Sequence, residues 1–95
     1  KLKKGKVIKM KLTVNAKELH WEVENELKLF NVQGGTSFKG TLYGLICKAS
    51  RQNLHNIALG FPLQVVAWYT YQEMQDRLEG LGFEVEILGG NDNVL

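Results

Sequence analysis

The stretch LQVVAWYTYQEMQDRLEGLGFEVEIL, residues 63–88, decides the fold predicted for this chain. Its first seven residues are almost continuously apolar, which is typical of a strand buried on both faces of a parallel sheet. Thr70 and Glu73 have the spacing of a capping box, so a helix is predicted to begin there and to end at Gly82. Residues 83–87 alternate apolar and acidic side chains, which predicts a strand with one solvated face.

Three further strands are predicted upstream of this stretch. Residues 7–14 and residues 19–24 both alternate apolar and polar side chains, so they are predicted to pair as antiparallel strands. Residues 27–32 form the third strand, in which the alternation slips at Phe30 and indicates a bulge. The side chains predicted to face inward from the first strand are Met10, Leu12 and Val14.

An apolar stripe at helical spacing predicts the first main helix, which Thr36 or Ser37 is placed to cap. Gly40 and Gly44 lie four residues apart on this helix, and close packing against the sheet is the expected reason for them. A shorter helical turn is predicted over residues 54–60. The stripe on the first helix consists of Phe38, Leu42, Leu45, Ile46 and Ala49.

The predicted fold class is therefore α+β, with a mixed five-stranded sheet in the order βββαβαβ and two main helices. This layout resembles the ribonuclease H-like fold over nearly the whole chain. That resemblance implies acidic residues that hold two metal ions, placed on the first strand, the first helix and the end of the fourth strand. The corresponding residues here, 13–15, 38–40 and 69–70, include no acid. The resemblance thus implies a repurposed member without nuclease activity.

Ninety-five residues predict a single domain spanning residues 1–95, with residues 1–6 as a basic arm and residues 89–95 as a flexible tail. The single cysteine, Cys47, excludes an internal disulfide and a cysteine-based zinc site, and it favours a cytoplasmic location. No apolar run approaches the ~18 residues that a membrane span needs, so no membrane partner is expected.

Charge is distributed unevenly along the chain. Residues 1–51 carry eleven Lys and Arg against four Glu, whereas residues 52–95 carry one Arg against six acids. Such a separation can steer a polyanion or align two copies of the chain, unless folding interleaves the two halves. The residues proposed to bind nucleic acid, in a manner that does not depend on sequence, are Lys3, Lys4, Lys6, Lys9 and Lys11.

Three further groups of residues are candidates for chemistry. His20 has Glu22 and Glu24 on the same face of its predicted strand, so it could bind a metal ion or act as a base. Pairing with a neighbouring strand at the surface is the simpler interpretation. Cys47 lies in the middle of the first helix and is predicted to be a small buried residue. The residues that would line a ligand pocket at the carboxyl end of the buried strand are Trp68, Tyr69, Thr70 and Tyr71.

We therefore predict a small non-enzymatic intracellular module for binding or assembly. It has no assigned catalytic residue, cofactor or metal, and it acts through a protein partner or through self-association. Two alternatives remain open at this point. One is nucleic-acid binding through the basic arm and the first strand, and the other is a small-molecule or enzymatic pocket near Tyr69 and Tyr71.

Overall fold

The computed structural model describes residues 9–28 and 37–89 of the chain. Within these residues, a run of helices joins two parallel strands, so this part of the fold is mainly helical. The elements in chain order are strand β1 (Met10–Asn15), helix α1 (Ala16–Trp21), a π-helical segment (Glu22–Leu27), helices α2 (Phe38–Lys48), α3 (Arg51–Gly60), α4 (Pro62–Tyr71) and α5 (Arg77–Gly80), and strand β2 (Phe83–Leu88).

The two strands pair in a register that sets Met10 opposite Phe83 and Asn15 opposite Leu88. One face of this pair is buried, with Leu12, Val14 and Phe83 at 5% exposure or less. A two-stranded sheet is marginal in water by itself, so the pair depends on the helices that cover its inner face. The prediction that the inner side chains of β1 face the core is confirmed at Leu12 and Val14.

Helix α4 lies at the centre of the core. Val65, Val66 and Ala67 are fully buried, and α4 contacts β1, α1, the π-helical segment, α2 and α3. Burying a Val side chain stabilises a fold by about 1.5–3 kcal/mol. The described helices therefore assemble around α4, and the strand pair packs against it through β1.

The prediction of a buried strand over residues 63–69 is wrong, because this run is helix α4. A short continuous apolar run has no period, so it fits a buried helix as well as a buried strand. Pro62 occupies the first turn of α4, where its missing N–H costs no hydrogen bond. The hydroxyl of Thr70 donates to the carbonyl oxygen of Val66 at 2.8 Å, a bond typical of helices.

The predicted capping box at Thr70 and Glu73 is also wrong, because this segment ends a helix rather than beginning one. The N–H of Met74 donates to the carbonyl of Tyr69 at 2.8 Å, and that of Glu73 donates to the carbonyl of Thr70 at 3.0 Å. Glu73 has a φ of 58°, so the pattern is a Schellman motif with Glu where Gly is usual. The helix predicted to follow is reduced to the short α5.

The second predicted strand, residues 19–24, is helical instead. Asn15 ends β1 and caps α1, since its side-chain oxygen accepts from the N–H groups of Lys17 and Glu18 at 2.8 and 3.1 Å. Leu19 and Leu27, which lie on the same side at a spacing of eight, are both buried. A helical period thus overrides the short alternation. Of the third predicted strand, residues 27–28 are helical and residues 29–32 lie outside the described residues.

These findings overturn the five-stranded βββαβαβ sheet, and with it the resemblance to the ribonuclease H-like fold. The described residues contain the two parallel strands and no meander. The last strand, the first main helix, and Gly82 as a positive-φ stop are confirmed, with a φ of 96° at Gly82. The short helical turn predicted over residues 54–60 is helical, but the helix is longer than predicted and begins at Arg51. The basic arm and residues 90–95 of the predicted tail lie outside the described residues.

No helix in the described part of the chain combines the length and the apolar character that crossing a membrane requires.

Candidate functional site

Helices α2 and α3 form a groove on the surface of the protein. Ser37 and Ser50 cap these helices, with each side-chain oxygen accepting a backbone N–H three residues on. A two-residue connection, Ala49 and Ser50, joins them, and both helices pack on α4. The rings of Phe38 and Phe61 lie 5.7 Å apart. Since these residues lie at the two far ends of the pair, the helices run back alongside each other.

The groove is continuous along the helix pair. At the end bounded by Phe38 and Phe61 it encloses a volume of about 260 Å³. Toward the connection, where Lys48 and Asn53 line it, it encloses about 380 Å³. The two parts share their central lining residues, which are Leu45, Asn56 and Ile57.

Large apolar side chains of this groove are open to solvent. Phe38 is 66% exposed and Leu45 is 50% exposed, although both belong to the apolar stripe predicted to pack against a sheet. Leu42 and Ile46, from the same stripe, are buried. The stripe is therefore wider than the core can cover, and contiguous exposed apolar surface of this kind marks interaction sites.

The charge of the groove walls is positive, with no acidic residue in the helices that form them. Residues 37–72 contain no Asp or Glu, and Lys48 supplies a positive charge at the end of the groove next to the helix connection. Thr41, Asn53 and Asn56 add neutral polar groups. A ligand with an apolar face and a negative charge at one end fits this arrangement better than a cationic one.

A second group of chemically active side chains lies inside the protein. The Glu22 carboxylate, on the π-helical segment, accepts from the Tyr43 hydroxyl at 2.5 Å and from the Lys39 ammonium at 2.9 Å. Burial, and then the hydrogen bond to Glu22, raises the pKa of Tyr43 well above its usual range. Glu22 is 2% exposed and Tyr43 is fully buried, so no substrate reaches them. This cluster fastens α2 to the π-helical segment.

His55 also has a structural role that its sequence context did not indicate. Its Nε2 donates to the carbonyl oxygen of Leu81 at 2.7 Å, and its ring lies 4.3 Å from that of Phe83. A Cβ on Gly82 would lie 3.0 Å from both this Nε2 and the Arg51 guanidinium. The side of α3 away from the groove therefore holds the turn that leads into β2.

The lysines predicted to bind nucleic acid are placed as follows. The Lys9 ammonium lies 3.0 Å from a Glu79 carboxylate oxygen, and that of Lys11 lies 3.1 Å from Glu86. Positive charge from the first half of the chain thus meets acids of the second half, as expected where folding interleaves the two. Residues 1–8, with Lys3, Lys4 and Lys6, lie outside the described residues.

The aromatic group predicted to line a pocket is consecutive on α4 rather than at a strand end. Trp68, Tyr69 and Tyr71 are half-buried and pack against the core, and burial raises the pKa of Tyr69. The Thr70 hydroxyl donates to the carbonyl oxygen of Val66 and accepts from the Gln75 amide, which lies 2.8 Å away. Consecutive residues of a helix point about 100° apart, so the structure does not bring these four side chains together.

Two single residues differ from their predicted settings. Cys47 is exposed, not buried, because it lies on the outer side of α2 next to the buried Ile46. His20 lies in the last turn of α1 rather than on a strand, where it is exposed. The described residues contain no group of His, Cys, Asp or Glu arranged to hold a metal ion.

No protein-family model, curated protein or solved structure matches this chain. The groove is accordingly the candidate site on the strength of its geometry alone. The sequence analysis did not identify Ile57 and Phe61 as site residues. An apolar face on residues 57–61, next along the chain to the wide stripe of α2, was the pattern that could have indicated them.

Proposed function

We propose that this protein is a non-enzymatic binding module, and that its α2–α3 groove holds an apolar segment of another protein. The single observation that carries this proposal is the open apolar groove whose lining includes Phe38 and Leu45. A continuous exposed apolar surface promotes aggregation unless it is covered, and a bound segment of a partner protein would cover it.

The chemistry of the lining supports a protein partner over a small ligand. Small-molecule sites are usually concave pockets in which a few polar groups converge to fix one orientation. Here the polar side chains, such as Thr41 and Asn53, are spread along the length of an open groove. A long, open apolar groove fits a row of side chains from one segment.

The charge of the groove supports a foreign segment over a second copy of the chain. Packing two copies groove to groove would leave each Lys48 ammonium group without a carboxylate partner from residues 37–72 of the other copy. A partner with an acidic residue of its own supplies the carboxylate that Lys48 lacks. A cytoplasmic location is part of the proposal, and the exposed thiol of Cys47 supports it because free thiols persist in reducing compartments.

The test is an unbiased selection of peptides on the full chain, followed by measured affinities. Peptides of 16 residues that a display library enriches are synthesised, labelled with fluorescein and titrated by anisotropy against three proteins: the wild type, Leu45→Glu and Leu59→Glu. Leu59 is the matched control because it is 74% exposed on α3 but does not line the groove. We expect Leu45→Glu to weaken binding at least tenfold and Leu59→Glu to change it less than twofold.

Two results would overturn the proposal. In one, no enriched peptide depends on Leu45. In the other, light scattering shows that the wild type is a dimer and that Leu45→Glu makes it a monomer, so that a second copy occupies the groove.

A further inference from the structure

The backbone of the groove walls limits what conformation a bound segment can have. Both walls are helices, whose N–H and C=O groups bond within each helix away from the ends. An extended segment would bring its own backbone groups into an apolar groove with few partners, and each unpaired group would be costly. A helix satisfies its backbone internally. The walls therefore favour a helical segment over a strand.

The length of the groove sets the length of that helix. Helix α2 has 11 residues and α3 has 10, which at 1.5 Å per residue gives walls about 15 Å long. A helix of roughly three turns spans this distance and presents anchors at positions i, i+3 or i+4, and i+7. Its anchors would pack on the central part of the groove, at Leu45 and Ile57.

The two ends of the groove differ in chemistry. Phe38 and Phe61 bound one end, whereas Lys48 lies at the other end beside the helix connection. An acidic side chain is stabilised near Lys48 and has no charged partner among the aromatic residues at the far end. A bound helix is thereby given one preferred direction in the groove.

From these three observations we infer that the groove binds an amphipathic helix of about three turns. The helix has apolar residues on one face and an acidic residue at the end next to Lys48. This inference rests on the proposed function, since it names the partner class of the same site.

The first arm of the test concerns conformation. The probe is the fluorescein-labelled peptide that binds most tightly among those whose binding Leu45→Glu weakens. Two analogues are compared with it: one locked as a helix by a side-chain lactam on its polar face, and one with Pro at its central polar position. We expect the locked peptide to bind at least threefold more tightly and the Pro peptide at least tenfold more weakly. A Pro peptide that binds as well as its parent would overturn the inference.

The second arm concerns charge. Lys48→Glu is compared with Lys17→Glu, a control on the exposed surface of α1. We expect Lys48→Glu to weaken binding of the probe about three- to tenfold, with the loss diminishing at high salt, and Lys17→Glu to change it less than twofold. Equal effects of the two substitutions, or tighter binding to Lys48→Glu, would overturn the assignment of an acidic end.

The two proposals fail in different ways. Enriched peptides that depend on Leu45 but alternate apolar residues with a period of two, or that tolerate Pro, contradict the helical segment and leave the binding module in place. A selection without any Leu45-dependent peptide removes the binding module, and the helical segment with it.

Discussion

Helix α4 and the α2–α3 groove are both rich in apolar side chains, but they differ in what covers them. Val65, Val66 and Ala67 on α4 are fully buried by the protein's own elements, whereas Phe38 and Leu45 of the groove are at least half exposed. Buried apolar residues stabilise the fold, and exposed ones on a continuous surface are available to a partner. Apolar composition alone therefore does not separate the core from the site. The two differ in whether other elements of the protein cover the apolar side chains.

The largest expected effect comes from placing the same charged side chain in each region. Val66→Glu buries a carboxylate without a partner, so we expect it to lower the free energy of unfolding by more than about 4 kcal/mol and to abolish cooperative folding. Leu45→Glu is the matched substitution in the groove. Because Leu45 is already half exposed, we expect a change within about 1 kcal/mol in urea denaturation. Similar losses of stability in both variants would contradict the assignment of Val66 to the core and Leu45 to an open groove.

The next prediction concerns two sides of α2, because Tyr43 faces the core and Leu45 faces the groove. Tyr43→Phe removes a buried hydrogen bond to Glu22 and leaves that carboxylate with Lys39, so we expect a loss of about 1–3 kcal/mol in denaturant unfolding. Affinity for groove-binding peptides should change less than twofold. A larger loss of affinity than of stability would contradict the assignment of Tyr43 to the core.

The difference in stability between the wild type and Tyr43→Phe is expected to depend on pH. Because the folded pKa of Tyr43 is raised above its unfolded value of about 10, the stability linked to its proton is fully present below pH ~10. Above that pH the unfolded chain releases the proton while the folded chain keeps it. The advantage of wild type over Tyr43→Phe should therefore fall by about 1.4 kcal/mol per pH unit. A difference that stays constant from pH 8 to pH 11 would exclude this linkage.

A smaller effect is expected behind α3, on the side opposite the groove. Gly82→Ala places a side chain at a φ of 96° and 3.0 Å from His55, so we expect a loss of roughly 1–3 kcal/mol in thermal unfolding. Gly80→Ala is the control, because a Cβ there would meet no atom within 4 Å. If Gly82→Ala is no worse than Gly80→Ala, the turn does not have the geometry described.

The smallest effect is expected at the C-terminal end of α4. Glu73 has a φ of 58°, so Glu73→Gly should relieve backbone strain and stabilise the protein by about 0.5–1 kcal/mol. Gln72→Gly, one residue earlier at a φ of −84°, should be destabilising because it only adds freedom to the unfolded chain. Opposite signs for these neighbours, read from melting temperatures, would support the Schellman motif.

The sequence predicted the elements whose patterns are unambiguous. The alternation of residues 83–87 and of the described part of the first predicted strand, the capped stripe of α2, and the helical turn over residues 54–60 all correspond to observed elements. The prediction for residues 63–69 failed because residues 64–67, a full helical turn, are all buried. A helix without an exposed polar face has a pattern that is indistinguishable from that of a buried strand. Pro62, a residue favoured in the first helical turn, was the signal that distinguishes them.

The candidate site was predictable in part only. The α2 stripe was recognised, but sequence does not show that Leu42 and Ile46 on it are buried while Phe38 and Leu45 stay open. That division depends on how α2, α3 and α4 pack, which is a property of tertiary structure. For the same reason, the pairing of Lys9 and Lys11 with distant acids was not visible in the charge count.

Binding in the groove is tested by a methyl-detected NMR titration of the wild type with the peptide that binds most tightly among those that depend on Leu45. We expect the largest shift changes to fall on Leu45 and Ile57, in the groove, while the shifts of Val65 and Val66 of α4 remain unchanged. Shift changes centred instead on Ile87 and Leu88, the exposed apolar residues of β2, would contradict binding in the groove.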